Sequence, residues 1–446
     1  MKLLIYCPFR SPRLQYVLDL VFQEVASVHF ELTTDLVFYK ASHAARLNYS
    51  HAAVATPEVW IPNSGFLEES AIRPIHLQVG LVEAMPAFFF QKEERASLPF
   101  DLFAMVFYLV SRYEEYLDFE GDAHGRYQSA HSIAHKGHFL DRPLVDEWSL
   151  LLLDKIKRLF ADFSYQKKPF RFLPTYDIDL AWAYRHRPLW RAIPALARDI
   201  GLLRLNALQW RWKAWQNADT DPFFTYPMML SIHERLGLKP IFFFLLGDYG
   251  AFDKNISPDH PALQGLIQHL AEKYETGIHP SYQSNKDASI LYREVSRLEA
   301  ILDHKPVLKS RQHYLKLRFP DTYRQLLAAG IREDYSMGYA ACTGFRAGIA
   351  RPFYWYDLEK EQKTDLLIVP FAAMDVTLKQ YLKWDIPRAN QEIAGLIEKV
   401  RQVGGQFTLL WHNSSFSSVD GWTGWGEVHE KALSLGAEAE TQTYDL

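Results

Sequence analysis

Beyond residue 170, eight residues able to do chemistry stand at the ends of short apolar runs. They are Asp177 and Asp179 in FLPTYDID, His279 in TGIHPSY, Arg311 and His313 in VLKSRQHY, Asp334 in GIREDYS, Asp375 in LLIVPFAAMD and His412 in QFTLLWHN. Taken singly, an Asp or His at a strand end is more often a turn or capping residue than a ligand. Collected on one rim, two carboxylates, two or three imidazoles and a guanidinium supply the ligands, base and acid that metal-assisted hydrolysis needs. A mixed imidazole and carboxylate set that leaves a position open for water suits zinc.

The runs that must position these groups, at 172–179, 239–247, 276–282, 307–314, 330–336, 366–375 and 406–413, have the length and composition of strands. Between them lie stretches with helical spacing, such as PALQGLIQHLAEKYE and RANQEIAGLIEKVRQVGG, the latter stopped by a Gly pair. Seven strands alternating with helices predict an α/β domain over 169–446, a parallel (β/α)7 barrel whose C-terminal rim carries the chemistry. A doubly wound sheet shares the alternation. One insert, near 184–222, is basic, Trp-rich and helical. Its place after the first strand predicts a lid over the barrel mouth, and a helix lying on a membrane surface is the alternative.

Residues 1–168 predict a smaller α/β domain whose role the sequence leaves open, ending at the polar segment YQKKP. Within it, PFDLFAMVFYLVSRYEEYLDF sets Leu102, Val106, Phe107, Val110 and Tyr113 at helical spacing and predicts a long buried helix. The dense charge that follows, RYEEYLDFEGDAHGRY, is expected to be a solvated helix end with ion pairs. DEWSLLLLDKIKRLFADF predicts a second, amphipathic helix.

Four motifs in order give the C-terminal part a resemblance to the polysaccharide deacetylase (NodB-homology) family, covering roughly 170–446. TYDID (175–179) resembles the family's first motif, GIHPSYQS (277–284) its second, Arg311-Gln312-His313-Tyr314 its third and LLWHN (409–413) its fifth. The resemblance implies a distorted barrel and a deacetylase. In it Asp177 is the general base, Asp179 and His279 are metal ligands, Arg311 holds the base and His412 is the general acid. A backbone N–H near Tyr314 would stabilise the oxyanion. Three places depart from the family's pattern, one of them the fourth motif, where EDYSMGY (333–339) keeps an acid at the strand end but not the usual Asp-Trp ending. Gln283 stands where the family has its second metal histidine, and His313 stands where the third motif has proline. His313 is therefore the expected replacement ligand. Asp334 and Asp375 are the candidates to orient His412 or Arg311. Tyr314, Arg346 (between Gly344 and Gly348) and Trp411 are expected to bind substrate, with Tyr282, Trp355, Tyr356, Trp422 and Trp425 as further flat faces for sugar rings. The expected substrate is an N-acetylated sugar of a bacterial surface polysaccharide or its precursor. Two other classes stay open: a glycan-binding relative without catalysis, and a C–N hydrolase acting on a small cyclic amide.

The 446 residues carry a net charge of −4, which lacks the basic footprint of a nucleic-acid binder. No apolar run is long enough to span a bilayer. The N-terminal MKLLIYCPFR predicts a first strand rather than a secretory signal, and with only Cys7 and Cys342 in the chain a cytoplasmic location is expected.

Overall fold

The computed structural model describes residues 2–93 and 95–444. Strands β1 (Leu3–Tyr6), β2 (Phe30–Thr33), β3 (Ala45–Ser50) and β4 (Val59–Pro62) form a parallel sheet in the order β2-β1-β3-β4. β1 and β4 are buried at every position, which is why LLIY and VWIP read as unbroken apolar runs. β3, ARLNYS, is just as buried but alternates polar residues, so hydropathy conceals it. Asn48 answers its own burial by donating to the Ala52 carbonyl at 2.8 Å. The run HFELTTDLVFY divides because Asp35 accepts the N–H groups of Val37 and Phe38, at 2.8 and 3.0 Å, and starts the helix Leu36–Ala41. A small hairpin follows, β5 (Gly80–Val82) with β6 (Met85–Ala87).

The helix expected over 99–119 is shorter, Leu102–Val110, capped by Asp101 and buried along its whole length. It ends where Arg112 takes φ +55°. Of the charges beyond it, Asp118 and Glu120 are exposed as expected, but Glu115 is buried and accepts from the Nε groups of Arg112 and Arg346, each at 2.9 Å. The second helix runs Leu144–Leu159.

The larger sheet holds β7 (Arg171–Ile178), β8 (Ile241–Phe244), β9 (Glu275–Ile278), β10 (Lys309–Ser310), β11 (Glu333–Asp334), β12 (Phe353–Asp357), β13 (Gln362–Ile368), β14 (Ala373–Met374) and β15 (Gln406–His412). Its order is β12-β13-β11-β10-β9-β8-β7-β15-β14, and every pairing is parallel except β12 with β13. All seven expected runs hold strands. β12 lies in a segment that hydropathy alone marks as loop.

Among the described residues this ladder does not close, which corrects the barrel expectation: the sheet is mixed and keeps two edges. The reason lies in the run LLIVPFAAMD, which is one strand in hydropathy and two in space. Its first part pairs with β11 as β13, and its last part pairs with β15 as β14. Pro370, between them, has no N–H to give a ladder. The segment therefore crosses the gap between the edges, with Val369 N–H donating to Asp334 O at 2.8 Å, Phe371 N–H to Met337 O at 3.1 Å and Ala372 N–H to Thr408 O at 3.3 Å.

One buried apolar cluster extends from Leu3 to Ala439 beneath both sheets. Polar ties add to it: the Tyr16 hydroxyl donates to Tyr354 O at 2.7 Å, and Val145 N–H donates to Gly348 O at 2.8 Å. No helix among the described residues is long and apolar enough to cross a membrane.

Candidate functional site

Strand register brings the chemistry together. Asp177 lies opposite His412 across β7 and β15, and opposite Phe243 across β7 and β8. His279 N–H donates to Phe244 O and Arg311 N–H to Ile278 O, so the residues just past β9 and β10 continue the same rim.

Arg311 is fully buried, and each of its three nitrogens donates a hydrogen bond: Nη1 to Asp177 Oδ1 at 2.9 Å, Nη2 to Thr175 Oγ1 at 2.7 Å and Nε to Tyr335 O at 3.0 Å. The Phe243 ring stacks 4.6 Å from the guanidinium carbon. Asp177 is thereby held on one oxygen.

Asp179, His279 and His313 bring their ligand atoms within 4.8 Å of one another. The hydrogen bonds on the far side of each ring leave Nε2 of both imidazoles facing the cluster, where they could hold a cation. His279 Nδ1 lies 2.5 Å from Arg311 O, and a carbonyl only accepts, so the proton sits on Nδ1 and Nε2 turns its lone pair inward. His313 Nδ1 lies 2.8 Å from Asp253 Oδ1, the same arrangement with a carboxylate as the outer partner. Asp179 Oδ1 is buried and makes no hydrogen bond of acceptable geometry, although His279 Nε2 stands 3.2 Å away. Two ligands about 2 Å from one tetrahedral ion lie roughly 3.3 Å apart, so this pair has the spacing a zinc ion requires.

The charges respond to one another. Burial raises the Asp179 carboxyl, but the neighbouring His313, His279 and His412 outweigh it and hold the group well below the usual carboxylate range. Burial lowers His313, but Asp179 and Asp253 overcome this and push it up to about 9. Without a cation, a proton on His313 takes the role of positive charge in the cluster.

On the opposite wall, His412 Nδ1 lies 2.8 Å from Asp375 Oδ1, and its backbone N–H donates to Asp375 Oδ2 at 2.8 Å. One carboxylate fixes ring and chain together. Burial lowers the imidazole pKa, while Asp375, Asp179 and Asp177 raise it to about 10. Its Nε2 faces Asp179 Oδ2 at 3.9 Å.

These groups open into a cavity of about 460 Å³ that Tyr314 and Gln312 also line, with Leu315, Ala340, Met374 and Val376 as its apolar part. Of the residues singled out from sequence, Asp177, Asp179, His279, His313, Tyr314 and His412 line it. Arg311 and Asp375 stand directly behind them. Asp334 is one step further back, since it accepts from the Ser336 hydroxyl at 2.9 Å and Ser336 Oγ accepts from Gln312 N–H.

Arg346 and Trp411 are corrections. Arg346 is spent on Glu115 and the Gly338 carbonyl, buried away from the cavity, and Trp411 is fully enclosed beside Trp425 and His429. Trp355, Tyr356, Trp422 and Trp425 are likewise core residues. Gln283 is exposed and takes no part in the lining. No residue of the insert lines the cavity either.

Three contributors escaped the sequence reading. Asp253 positions His313 and accepts Tyr282 N–H at 2.9 Å. Arg126 reaches the cavity from the N-terminal part of the chain, donating to Tyr314 O at 2.8 Å and to the Tyr381 hydroxyl at 3.2 Å. Tyr381 lines the same wall. Arg126 lies in the charge-dense stretch set aside as surface ion pairs, and no local pattern separates it from its neighbours.

Residues 3–161 match a family described only as a family of unknown function, DUF7033. No curated protein matches the chain. A solved structure described as a polysaccharide deacetylase from Mycobacterium smegmatis is 14% identical, with a TM-score of 0.39 over 64% of this chain and 93% of its own. The 4-alpha-glucanotransferase from Thermococcus litoralis is 10% identical, with a TM-score of 0.36 over 61% of this chain and 38% of its own. At these TM-scores neither likeness assigns the fold or the chemistry.

Proposed function

We propose that this protein is a metal-dependent amide hydrolase that removes the acetyl group from an N-acetylated sugar of a surface polysaccharide or its precursor. The observation that carries the proposal is the convergence on one cavity of three prepared units: Asp177 with Arg311, the Asp179–His279–His313 cluster, and His412 with Asp375. Asp179, His279 and His313 would hold a divalent metal, zinc by donor type. When bound, that metal supplies Lewis acidity and lowers the pKa of water.

The chain's own groups divide the remaining work. Asp177, aimed by Arg311, takes a proton from the attacking water through the oxygen that Arg311 leaves free. His412, held by Asp375, carries its proton on Nε2 towards the leaving amine. Tyr314 and the apolar patch of Leu315, Met374 and Val376 form the wall against which an acetyl methyl and a sugar ring fit. Arg126 and Tyr381 add polar contacts at the rim for hydroxyl groups.

The test is metal content together with acetate release from N-acetylglucosamine oligomers. Stoichiometric zinc in the wild type, its loss in His313→Ala, and retained zinc with hydrolysis reduced by about 10²–10⁴-fold in Asp177→Asn are expected. Absence of metal from the wild type, or unchanged zinc in His313→Ala, would sink the ligand assignment. Zinc bound without acetate release from any N-acetylated sugar would remove the activity.

A further inference from the structure

The insert is built as a helical hairpin, Leu189–Gly201 and Leu205–Gln216, with its two ends pinned at one carboxylate. Asp221 accepts the N–H groups of Ala183, Tyr184 and Arg185 at 2.7–3.1 Å. Arg191 then ties the first helix to the body by donating to the carbonyls of Lys254 and Asn255.

What this anchored hairpin presents is unusual for a surface element. On the first helix Leu189, Ile193, Leu196 and Ile200 follow i, i+4, i+7, i+11 spacing, which makes one stripe, and they are 41–74% exposed. On the second helix Leu205, Trp212 and Trp215 form a similar stripe at 57–73% exposure. Leu202 and Leu203 expose the connecting turn. An amphipathic helix normally turns such a stripe to the core, and here both stripes face outward.

The charge around them is one-sided. From Tyr184 to Gln216 there are seven Arg and Lys and one acid, Asp199, in a chain whose net charge is −4. Where the hairpin meets the body, at Phe223 and the turn of Ser418, Val419 and Gly421, lies a cavity of about 930 Å³ lined by Arg187, Arg198, Arg204 and Arg211, with Asp199 as its carboxylate. Asp199 is occupied, at 2.8 Å from Arg211 and 3.7 Å from Arg204. Arg187 makes no hydrogen bond among the described residues, and its Nε is buried without a partner. Its burial and the neighbouring Arg191 and Arg211 push its pKa down to about 10, so the cavity holds more positive charge than it satisfies.

We infer that the hairpin docks on an anionic phospholipid bilayer, with lipid phosphates entering the arginine cavity and the leucine and tryptophan stripes entering the interface between headgroups and acyl chains. Basic side chains and apolar stripes on the same two helices are the pairing that an interfacial helix needs. A second copy of this chain would bury the stripes but, carrying net negative charge without a matching acidic partner on the hairpin, leaves the arginine cavity unexplained.

Co-sedimentation of the full chain with vesicles of phosphatidylcholine mixed with phosphatidylglycerol, against vesicles of phosphatidylcholine alone, tests this. Binding at least tenfold stronger to the anionic vesicles, weakened by salt, is expected. Two variants separate the contributions: Ile193→Asp with Leu203→Asp for the stripes, and Arg198→Gln with Arg204→Gln for the charge. Each is expected to weaken binding at least tenfold with circular dichroism and metal content unchanged. Equal binding to both vesicle types, no binding, or a dimer in sedimentation velocity that the Ile193→Asp, Leu203→Asp variant dissociates would overturn the inference.

Discussion

Asp375 makes the clearest single-residue test, because it holds the imidazole and the backbone N–H of His412, together with the Val376 N–H at 2.7 Å, and does not itself line the cavity. Asn at this position keeps an acceptor but loses the charge that favours the protonated ring. We expect Asp375→Asn to lower kcat by about 10²-fold or more with KM and zinc content nearly unchanged, checked by steady-state kinetics beside elemental analysis. Glu294 offers a test of stability instead. It is buried with one oxygen accepting Ser281 N–H and the other without a partner, and burial pushes its carboxyl up to about 7. Above its unfolded value the native state therefore binds more protons than the unfolded state. Stability falls as pH rises from about 4.5 to about 7, by roughly 2–3 kcal/mol in all. Urea unfolding across that range is expected to show the decline in wild type and a flatter curve in Glu294→Gln. Most of the polar residues that line the cavity were legible in sequence because strand ends collect them. Arg346 and Trp411 misled because an arginine between glycines and a tryptophan beside a catalytic histidine look the same whether they meet a ligand or the core.

At the scale of elements, the long regular strands β7 and β15 announced themselves, whereas only the last three residues of β13 fall in the expected run 366–375, and β10 and β11 keep two residues each of the runs 307–314 and 330–336. β3 stayed hidden because its polar residues find partners in the flanking segments, at the Lys40 and Ala52 carbonyls and the Glu58 carboxylate, and β12 because FYWYD lies in a Gly-rich stretch with no turn signal of hairpin type before β13. Closure failed as an expectation because hydropathy counts apolar residues and does not register that Pro370 breaks a ladder. The loop before β12 carries a position that tolerates no side chain. Gly344 has φ +109°, and a Cβ there would sit 2.3 Å from the Leu140 carbonyl oxygen. Its own N–H donates to Ala372 O at 2.9 Å, so the loop cannot retreat without releasing the crossing segment. Gly344→Ala is expected to cost about 2 kcal/mol or more, measured by chemical denaturation.

Across the whole molecule, the N-terminal part is joined to the larger sheet by buried charge as well as by apolar packing. Arg346, Arg112 and Glu115 form a network with exposures of 2–4%, in which the carboxylate meets both guanidinium groups. Removing one member strands the rest. Arg346→Met is expected to destabilise the protein by about 3–5 kcal/mol, and Arg346→Met with Glu115→Gln by less, a sign that double-mutant unfolding measurements would reveal. Nothing in either half of the sequence advertised this network, since its members lie 231 positions apart.

The crossing segment from β13 to β14 has the last consequence. Because a single stretch of chain leaves the sheet at β13, one strand in from the β12 edge, and rejoins it as the opposite edge β14, its residue count acts as a ruler for the mouth. Asp375 follows directly on Met374, so a one-residue insertion or deletion anywhere between Ile368 and Ala373 would carry Asp375 out of step with His412 while leaving every side chain of the cavity present. The site is thus specified by a length as much as by its residues.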